Sequence, residues 1–388
     1  MPEPLTPAQL TRDLAVRDLT DPAAGPHAIQ LVVDKAVSAV AGPGTDVRRW
    51  PGARIVTVAD NYDHLGYDPA DVTRDARYTR YVDADHVLRS HSSAMIPAAL
   101  RALKARPADD VLLVCPGVVY RRDSIDRLHS GTPHQLDLWR IARGAGTRTH
   151  LEQLVTSLVE TLLPGRRWRL EPRRHPYTVD GSQLDVEHHG EWIEIAECGL
   201  AHPAVLARAG LGDGWSGLAL GMGLDRMLMV LKGIPDIRLL RSADPAVAAQ
   251  LADLAPYRPV SALPPVRRDL SIAVAADDRA EDLGDRVRTA LGGDSDLVES
   301  VEIRQETPCA QLPPQALARL GAAENQKNLL VRLVLRPLGR TLSDAEANVL
   351  RDRAYAALHQ GAAHQWSSPE ATQRKCGEAP GSGDAGGR

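Results

Sequence analysis

The most informative stretch of this 388-residue chain is residues 119–137, which read VYRRDSIDRLHSGTPHQLD. The residues before it, Val111–Tyr120, form a mostly apolar run that predicts a buried strand, interrupted at Pro116-Gly117. Arg121 therefore directly follows a strand and begins a polar loop. A guanidinium donates hydrogen bonds in a fixed fork and stays charged, so an arginine at this point can hold a phosphoryl group. On spacing alone, a solvated charged loop is the more common meaning of such a stretch.

A second stretch, residues 221–226, reads GMGLDR. Glycines allow a strand to turn tightly into a helix, and the amino end of a helix favours anions. Arg226 would lie in the first helical turn, where it could meet a second phosphate. A helix start with an Asp225–Arg226 pair on the surface is an equally good interpretation of these residues.

A third stretch, residues 89–94, reads RSHSSA. Its hydroxyl groups beside His91 could bind a carboxylate or an amine. Ser92 or Ser93 could instead cap a helix, and without further context that interpretation is favoured.

Working outward, apolar periodicity predicts further helices and strands on both sides of these stretches. Four prolines, Pro256, Pro259, Pro264 and Pro265, indicate a domain boundary, and the elements after it follow the order strand, helix, strand, strand, helix, which is typical of a ferredoxin-like domain. Ser343 and Glu346 form a predicted capping box at the last helix. The predicted helices are 28–41, Leu151–Leu162, Leu224–Leu231 and Ala280–Leu291, and the predicted strands are Ala53–Ala59, Trp192–Ala196, Gly217–Leu220, Asp269–Ala275, Val298–Gln305 and Asn328–Leu335.

Length and composition narrow the class of protein. A chain of 388 residues is long enough for two or three domains, and 43% hydrophobic with 25% charged residues is typical of a globular protein. No apolar run approaches a membrane span, and the N-terminus resembles neither a secretory signal nor a transit peptide, so we expect a cytoplasmic protein without membrane contact. Four widely spaced cysteines disfavour a zinc site, and a net charge of −4 excludes a broadly cationic protein.

In this order and spacing, the three stretches resemble the catalytic core of phenylalanyl-tRNA synthetases, a class II aminoacyl-tRNA synthetase family. Residues 119–137 resemble motif 2, and residues 221–238 resemble motif 3 with its Gly-Ile-Pro-Asp-Ile-Arg extension. The resemblance implies an α+β fold with an antiparallel class II catalytic sheet and, on one chain, a ferredoxin-fold anticodon-binding domain. The implied division is an N-terminal helical segment 1–48, a catalytic domain 49–250, an anticodon-binding domain 257–366 and a disordered tail 367–388.

The resemblance also implies residue roles in ATP-dependent ligation of phenylalanine to tRNA(Phe). Arg121 would hold the ATP α-phosphate, Asp123 the adenine amino group, His129 the outer phosphates and Arg226 the γ-phosphate, so Arg121, His129 and Arg226 would be catalytic. His91, Ser93, Gln135 and Asp137 would surround the polar end of the amino acid, with His175, Tyr177 and Ala219 at its ring. Glu194 would be a ligand of Mg²⁺, or else an exposed strand carboxylate. The implied partners are phenylalanine, ATP and tRNA(Phe), for a monomer or a homodimer.

The chain departs from this family in one consistent way, because it contains no phenylalanine at all. Family phenylalanines are replaced at Pro133, His175, Tyr177, Leu218 and Leu220, while their neighbours are kept. Our hypothesis is that the protein can be made when charged phenylalanyl-tRNA is scarce, which expression during phenylalanine starvation tests.

The same departures leave other functions open. Asp137 stands where the family has glutamate, one methylene longer. Together with the changed pocket, this leaves an adenylating enzyme for a phenylalanine analogue or a non-tRNA acceptor, or a regulatory paralogue, as alternatives.

Overall fold

The computed structural model describes residues 4–259, 263–337 and 340–364. The chain divides into two compact units, Met1–Ala262 and Leu263–Arg388. The predicted tail 367–388 lies outside the described residues. Within the described ranges, no helix is both long enough and apolar enough to cross a membrane.

The first unit is built on a seven-stranded sheet. Its strand order is β1-β4-β5-β9-β8-β7-β6, and every neighbouring pair is antiparallel except β1 with β4, while β2 and β3 pair separately. The strands are β1 (Asp46–Arg49), β2 (Ile55–Thr57), β3 (His86–Leu88), β4 (Asp110–Val118), β5 (His134–Arg143), β6 (Trp168–Pro172), β7 (Thr178–His188), β8 (Glu191–Ala201) and β9 (Trp215–Gly223).

Eight α-helices accompany this sheet in residues 4–259, and the longest ones follow the predicted periodicity. The apolar face predicted within 151–162 is buried along its whole length, and α2 packs against both α5 and α7. The helices are α1 (Pro7–Leu14), α2 (Ala28–Val40), α3 (Val58–Asn61), α4 (Ile96–Ala105), α5 (Arg148–Leu162), α6 (Pro203–Arg208), α7 (Leu224–Lys232) and α8 (Pro245–Ala248).

Two strand predictions were wrong in detail. Strand β4 continues through Pro116-Gly117 without a break. Pairing with β1 ends at Val114, so at Pro116 only β5 lies beside the strand, and a missing N–H is tolerated where one side has no partner strand. The strand predicted over Ala53–Ala59 ends at Thr57, because the Thr57 hydroxyl accepts a hydrogen bond from the Asp60 N–H and begins α3.

The second unit has a three-stranded antiparallel sheet in the order β10-β12-β11. The strands and long helices follow the predicted order, and a short helix, α10, is added before the last strand. Both capping-box hydrogen bonds between Ser343 and Glu346 are present. The elements are β10 (Val266–Ala275), α9 (Ala280–Leu291), β11 (Val298–Pro308), α10 (Pro314–Leu320), β12 (Gln326–Leu335) and α11 (Asp344–Leu358).

Candidate functional site

Residues paired across neighbouring strands point to the same face of a sheet, so the register of β4, β5, β9 and β8 arranges the site in rows. The three rows share one face, because their members alternate along β5 and β9. We call them the nucleotide row (Gly117, Gln135, Gly223), the carboxylate row (Cys115, Asp137, Gly221, Glu197) and the ring row (Leu113, Trp139, Ala219, Gly199).

Asp137 is the buried acid of the carboxylate row, only 1% exposed. Its carboxylate accepts hydrogen bonds from the hydroxyls of Ser92 and Ser93 and, at 2.9 Å, from Trp139 Nε1. Burial raises the pKa of Asp137 to about 6, against the lowering effect of these three donors. The favoured interpretation of Ser92 and Ser93 as helix caps was wrong, because both hydroxyls donate hydrogen bonds to the Asp137 carboxylate.

The family resemblance puts Gln135 and Ser93 beside the polar end of the substrate, and the structure has Ser93 in contact with Asp137 and Gln135 in contact with the neighbouring Ser92. Gln135 Oε1 accepts a hydrogen bond of 3.1 Å from the Ser92 N–H, which ties the nucleotide row to the turn that carries the serines. Gly221 puts no side chain beside Asp137, where a Cβ would lie in ordinary contact with the carboxylate, 3.6 Å from Oδ2.

Aromatic rings stand over the ring row. Tyr177 packs against Trp139 with 6.1 Å between ring centroids and stacks on His175 at 5.7 Å. Tyr67 extends this cluster, at 6.3 Å from Tyr177 and stacked on His91 at 5.6 Å. The sequence did not predict Tyr67, which follows a short turn far from every motif, and no local signal could have found it.

His91 is enclosed by this cluster, and both of its ring nitrogens are buried without a hydrogen-bond partner among the described residues. Burial, and then the charge of Arg121, lower the pKa of His91 to about 3. The imidazole is therefore neutral at physiological pH, with one donor and one acceptor available to a ligand.

A bulge in β8 brings two acids to one face. Leu184 pairs with Ala196 and Asp185 with Glu194, so Ile195 is an extra residue on β8. Glu194 and Glu197 would face opposite sides of a regular strand, but this insertion puts both on the face of the rows. Glu194 is half-buried, which corrects its alternative interpretation as an exposed carboxylate, and burial followed by the charge of Glu197 raises its pKa.

Glu197 also contacts the aromatic cluster. His175 Nε2 lies 3.2 Å from Glu197 Oε1, and the His175 side chain is 7% exposed against 31% for Glu197. Burial opposes ionisation of Glu197, but the contact with His175 and the charge of Arg121 outweigh it and lower the pKa of the Glu197 carboxyl.

Beyond the nucleotide row lie the cations predicted from the motifs. Arg121 Nε donates to the Ser90 carbonyl at 2.8 Å, and Arg226, in the first turn of α7, donates to the Glu194 carbonyl at 2.9 Å. His129 Nδ1 lies 2.7 Å from an Asp126 oxygen, which raises the pKa of the imidazole.

Asp123 lies in the same loop, and its Oδ1 accepts a hydrogen bond of 2.9 Å from the Ser124 N–H. The charge of Asp123 adds to the raised pKa of His129, and the charge of Arg226 opposes it.

A buried pair joins the ends of these two segments. His134 Nδ1 lies 3.0 Å from Asp225 Oδ1, and the two side chains are 0% and 6% exposed. The interpretation of Asp225 as a surface partner of Arg226 was therefore wrong. Burial opposes ionisation of Asp225, but His134 outweighs it and lowers the pKa of the carboxyl. The pair fixes the start of β5 against the start of α7.

Comparison with known proteins identifies a family for most of the first unit. Residues 13–251 match the family of tRNA synthetases class II core domain (F). A phenylalanine–tRNA ligase alpha subunit from Prochlorococcus marinus (strain MIT 9313) is 33% identical over 233 residues, which cover 58% of this chain and 68% of the relative. A second alpha subunit, from Nostoc punctiforme, is 30% identical over 235 residues, covering 60% of this chain and 69% of the relative.

A chloroplastic/mitochondrial phenylalanine–tRNA ligase from Arabidopsis thaliana is 29% identical over 319 residues, which cover 77% of this chain and 68% of the relative. That share exceeds what Met1–Ala262 supplies, so the similarity continues into the second unit. The resemblance of the motifs is thus confirmed at the level of the family, and the chain belongs to the class II tRNA synthetase core family (F).

Proposed function

We propose that the chain is a phenylalanine–tRNA ligase, which activates its amino acid with ATP and transfers it to tRNA(Phe). The carboxylate row carries this proposal, because Asp137 offers a buried anion to an ammonium group, with an aromatic pocket on one side and cationic residues on the other. An amino acid lying across the three rows has its ammonium at Asp137, its ring beside Tyr177 and Ala219, and its carboxylate toward Arg121.

The nucleotide side supplies charge and orientation for the adenylation step. Arg121 and Arg226 would neutralise the α- and γ-phosphates, His129 would contact the outer phosphates and Asp123 the adenine amino group. The amino acid's carboxylate attacks the α-phosphorus, and pyrophosphate leaves. No general acid or base is required, since positioning and charge neutralisation dominate such transfers.

The residues also fit Mg²⁺. Among the described residues no group of three or more His, Cys, Asp or Glu forms a metal site. Mg²⁺ in nucleotide sites is usually held by one or two carboxylates together with phosphate oxygens. Half-buried Glu194, next to Arg226, has the chemistry for this role.

We further propose that the second unit is a ferredoxin-fold anticodon-binding domain and that the protein is a single-chain ligase. Its strand order and the extent of the Arabidopsis similarity support this. Residues 257–366 contain 14 Lys/Arg and 15 Asp/Glu, and Arg332, Arg336 and Arg340 each contact a carboxylate at 2.8 Å. Binding of tRNA by this unit would therefore depend only weakly on salt.

The decisive experiment is aminoacylation of total cellular tRNA with labelled phenylalanine, ATP and Mg²⁺. Charging that is lost in Arg121→Ala supports the proposal. Amino-acid-dependent exchange between ATP and pyrophosphate without any tRNA charging would favour the alternative of an adenylating enzyme with another acceptor. Absence of both reactions would favour a regulatory paralogue.

A further inference from the structure

Glu197 is absent from the residues that the motifs assign, yet it lies inside the amino-acid pocket. It belongs to the carboxylate row, and the glycine between it and Asp137, Gly221, has no side chain to fill the gap. Neighbouring strands are about 4.8 Å apart, so the Cα atoms of Asp137 and Glu197 are separated by about 10 Å. The carboxylate row therefore has an acid on each side of a glycine.

The surroundings of Glu197 are aromatic. Its contact His175 stacks on Tyr177, whose ring centroid lies 6.3 Å from that of Tyr67, and the charge of Glu197 adds to the burial that raises the pKa of both tyrosines. It also opposes ionisation of Asp137. A second carboxylate in this position is unfavourable for an unsubstituted phenyl ring, which offers no hydrogen bond to replace lost water.

Protein groups satisfy this carboxylate in part only. Within the described residues, the ion-pair partner of Glu197 is His175, and no lysine or arginine lies within ion-pairing distance of it. An ionised carboxylate has about four acceptor positions, and the contact with one imidazole nitrogen accounts for one of them at most. His175 is held in turn by stacking on Tyr177, and its Nδ1 lies 3.3 Å from Thr178 Oγ1, so the Nε2 edge faces Glu197.

We propose that Glu197, oriented by His175, is a specificity-determining residue that accepts a hydrogen bond from a hydroxyl or amino group on the side chain of the substrate. The preferred substrates are then aromatic amino acids that carry such a donor, ahead of phenylalanine itself. This inference rests on the proposed function, because it concerns the amino acid bound at the same site. Asp137 serves the ammonium of every substrate, and Glu197 distinguishes among their side chains.

The test is amino-acid-dependent ATP–pyrophosphate exchange by the full chain and by the variants Glu197→Gln and Glu197→Ala. The panel contains phenylalanine, tyrosine, meta-tyrosine, 4-aminophenylalanine and β-hydroxyphenylalanine. Glu197→Gln keeps the size of the side chain, so it covers the possibility that Glu197→Ala fails to fold. Glu191→Gln, exposed at the start of the same strand, is the matched control.

We expect at least one donor-bearing amino acid to exceed phenylalanine in kcat/KM by about ten- to a hundred-fold, as a hydrogen bond to a charged group allows. Glu197→Ala should reduce this ratio to within a few-fold of one, and Glu191→Gln should leave it unchanged.

Two outcomes would overturn the inference while the proposed function stands. One is a preference for phenylalanine that neither Glu197 variant alters. The other is an equal loss with every amino acid, which would assign Glu197 to the nucleotide or to Mg²⁺. Absence of exchange with the whole panel would overturn the proposed function and this inference with it.

Discussion

The nucleotide side and the amino-acid side of the site share one sheet face but are built differently. On the nucleotide side, Arg121 and Arg226 are each anchored by one hydrogen bond to a backbone carbonyl, and no described carboxylate forms an ion pair with either. On the amino-acid side, Asp137 is buried, and His175 and Glu197 are half-buried. His175 contacts Glu197 and stacks on Tyr177, which packs against Trp139, a hydrogen-bond donor to Asp137. The residues for activation are thus separate from those that surround the side chain of the substrate. Substitutions that change the preferred side chain can therefore leave the activation chemistry intact.

The largest expected effect concerns the pair that holds the nucleotide side together. His134→Ala would remove the imidazole and leave the backbone N–H of residue 134 as the remaining described partner of the buried Asp225 carboxylate, and losing one partner of a buried pair costs about 3–5 kcal/mol. We expect the free energy of unfolding in urea to fall by that amount. The control is Glu152→Ala, which removes the pair with Arg148, whose side chains are 52% and 39% exposed. That change should cost less than about 1 kcal/mol.

If both variants lose the same small amount of stability, the His134–Asp225 pair does not fix the nucleotide side, and the contrast between the two sides weakens.

The second prediction distinguishes the nucleotide side from the amino-acid side by the separate effects of a substitution on kcat and on KM. Arg226→Ala should lower kcat for ATP–pyrophosphate exchange by about 10²–10³-fold, the usual cost of losing one charge-stabilising donor. The KM for the amino acid should change little, because Arg226 lies beyond the nucleotide row. Arg166→Ala, an exposed arginine after α5, is the control. A loss of less than tenfold, or a rise in the amino-acid KM alone, would contradict the assignment of Arg226.

The third prediction concerns pH on the amino-acid side. Asp137 has a pKa of about 6, so it is ionised at pH 7.5 and mostly neutral at pH 5. Below pH 6 we expect the KM for the amino acid to rise by about tenfold per pH unit, since a neutral carboxyl does not pair with an ammonium. Asp137→Asn should have a high KM without this dependence. A wild-type KM that stays flat between pH 5 and pH 7.5 would show that another group binds the ammonium.

This pKa also sets the sign of the effect on folding. Because the folded-state pKa is raised, the contribution of Asp137 to stability is fully present below the unfolded value, 3.8, and is lost as pH rises through about 6. A bound ammonium offsets this loss, so ligand binding should raise Tm more at pH 7.5 than at pH 5.

The smallest effect is expected at Tyr177. Its hydroxyl interacts with Ser93, and removing it in Tyr177→Phe leaves the stacking on His175 intact. We expect a change of about threefold or less in kcat/KM for phenylalanine and a loss of about 1 kcal/mol in unfolding free energy. A change above tenfold would mean that this hydroxyl, rather than Glu197, determines specificity.

Local features of the sequence were sufficient for much of the fold. The buried faces of α2 and α5 follow from apolar spacing, and Ser343 caps α11 because both partners of the capping box lie within one turn. The motifs also indicated the right stretches for the site, and their order along the chain was enough to suggest the family.

Features that depend on distant partners could not be predicted. The burial of Asp225 needs His134, which is 91 positions away. Tyr67 joins the aromatic cluster through the path of a loop, and Glu194 shares the site face with Glu197 only because Ile195 is inserted into β8. No residue preference identifies a bulge of this kind, so the shared face of the two glutamates was not predicted, and only Glu194 had a role implied by the family resemblance.

The environment of Trp139 makes its fluorescence usable as a probe of Asp137. Trp139 is fully buried in the ring row, and its indole N–H is hydrogen-bonded to Asp137, while the other four tryptophans in the described residues, Trp50, Trp168, Trp192 and Trp215, are half-buried or exposed. In the variant Trp366→Tyr, a soluble quencher such as acrylamide should reduce the emission of those four more than that of Trp139. The fluorescence that survives would report the charge on Asp137 directly, so binding of an amino acid could be followed optically, without a label and before any nucleotide is added.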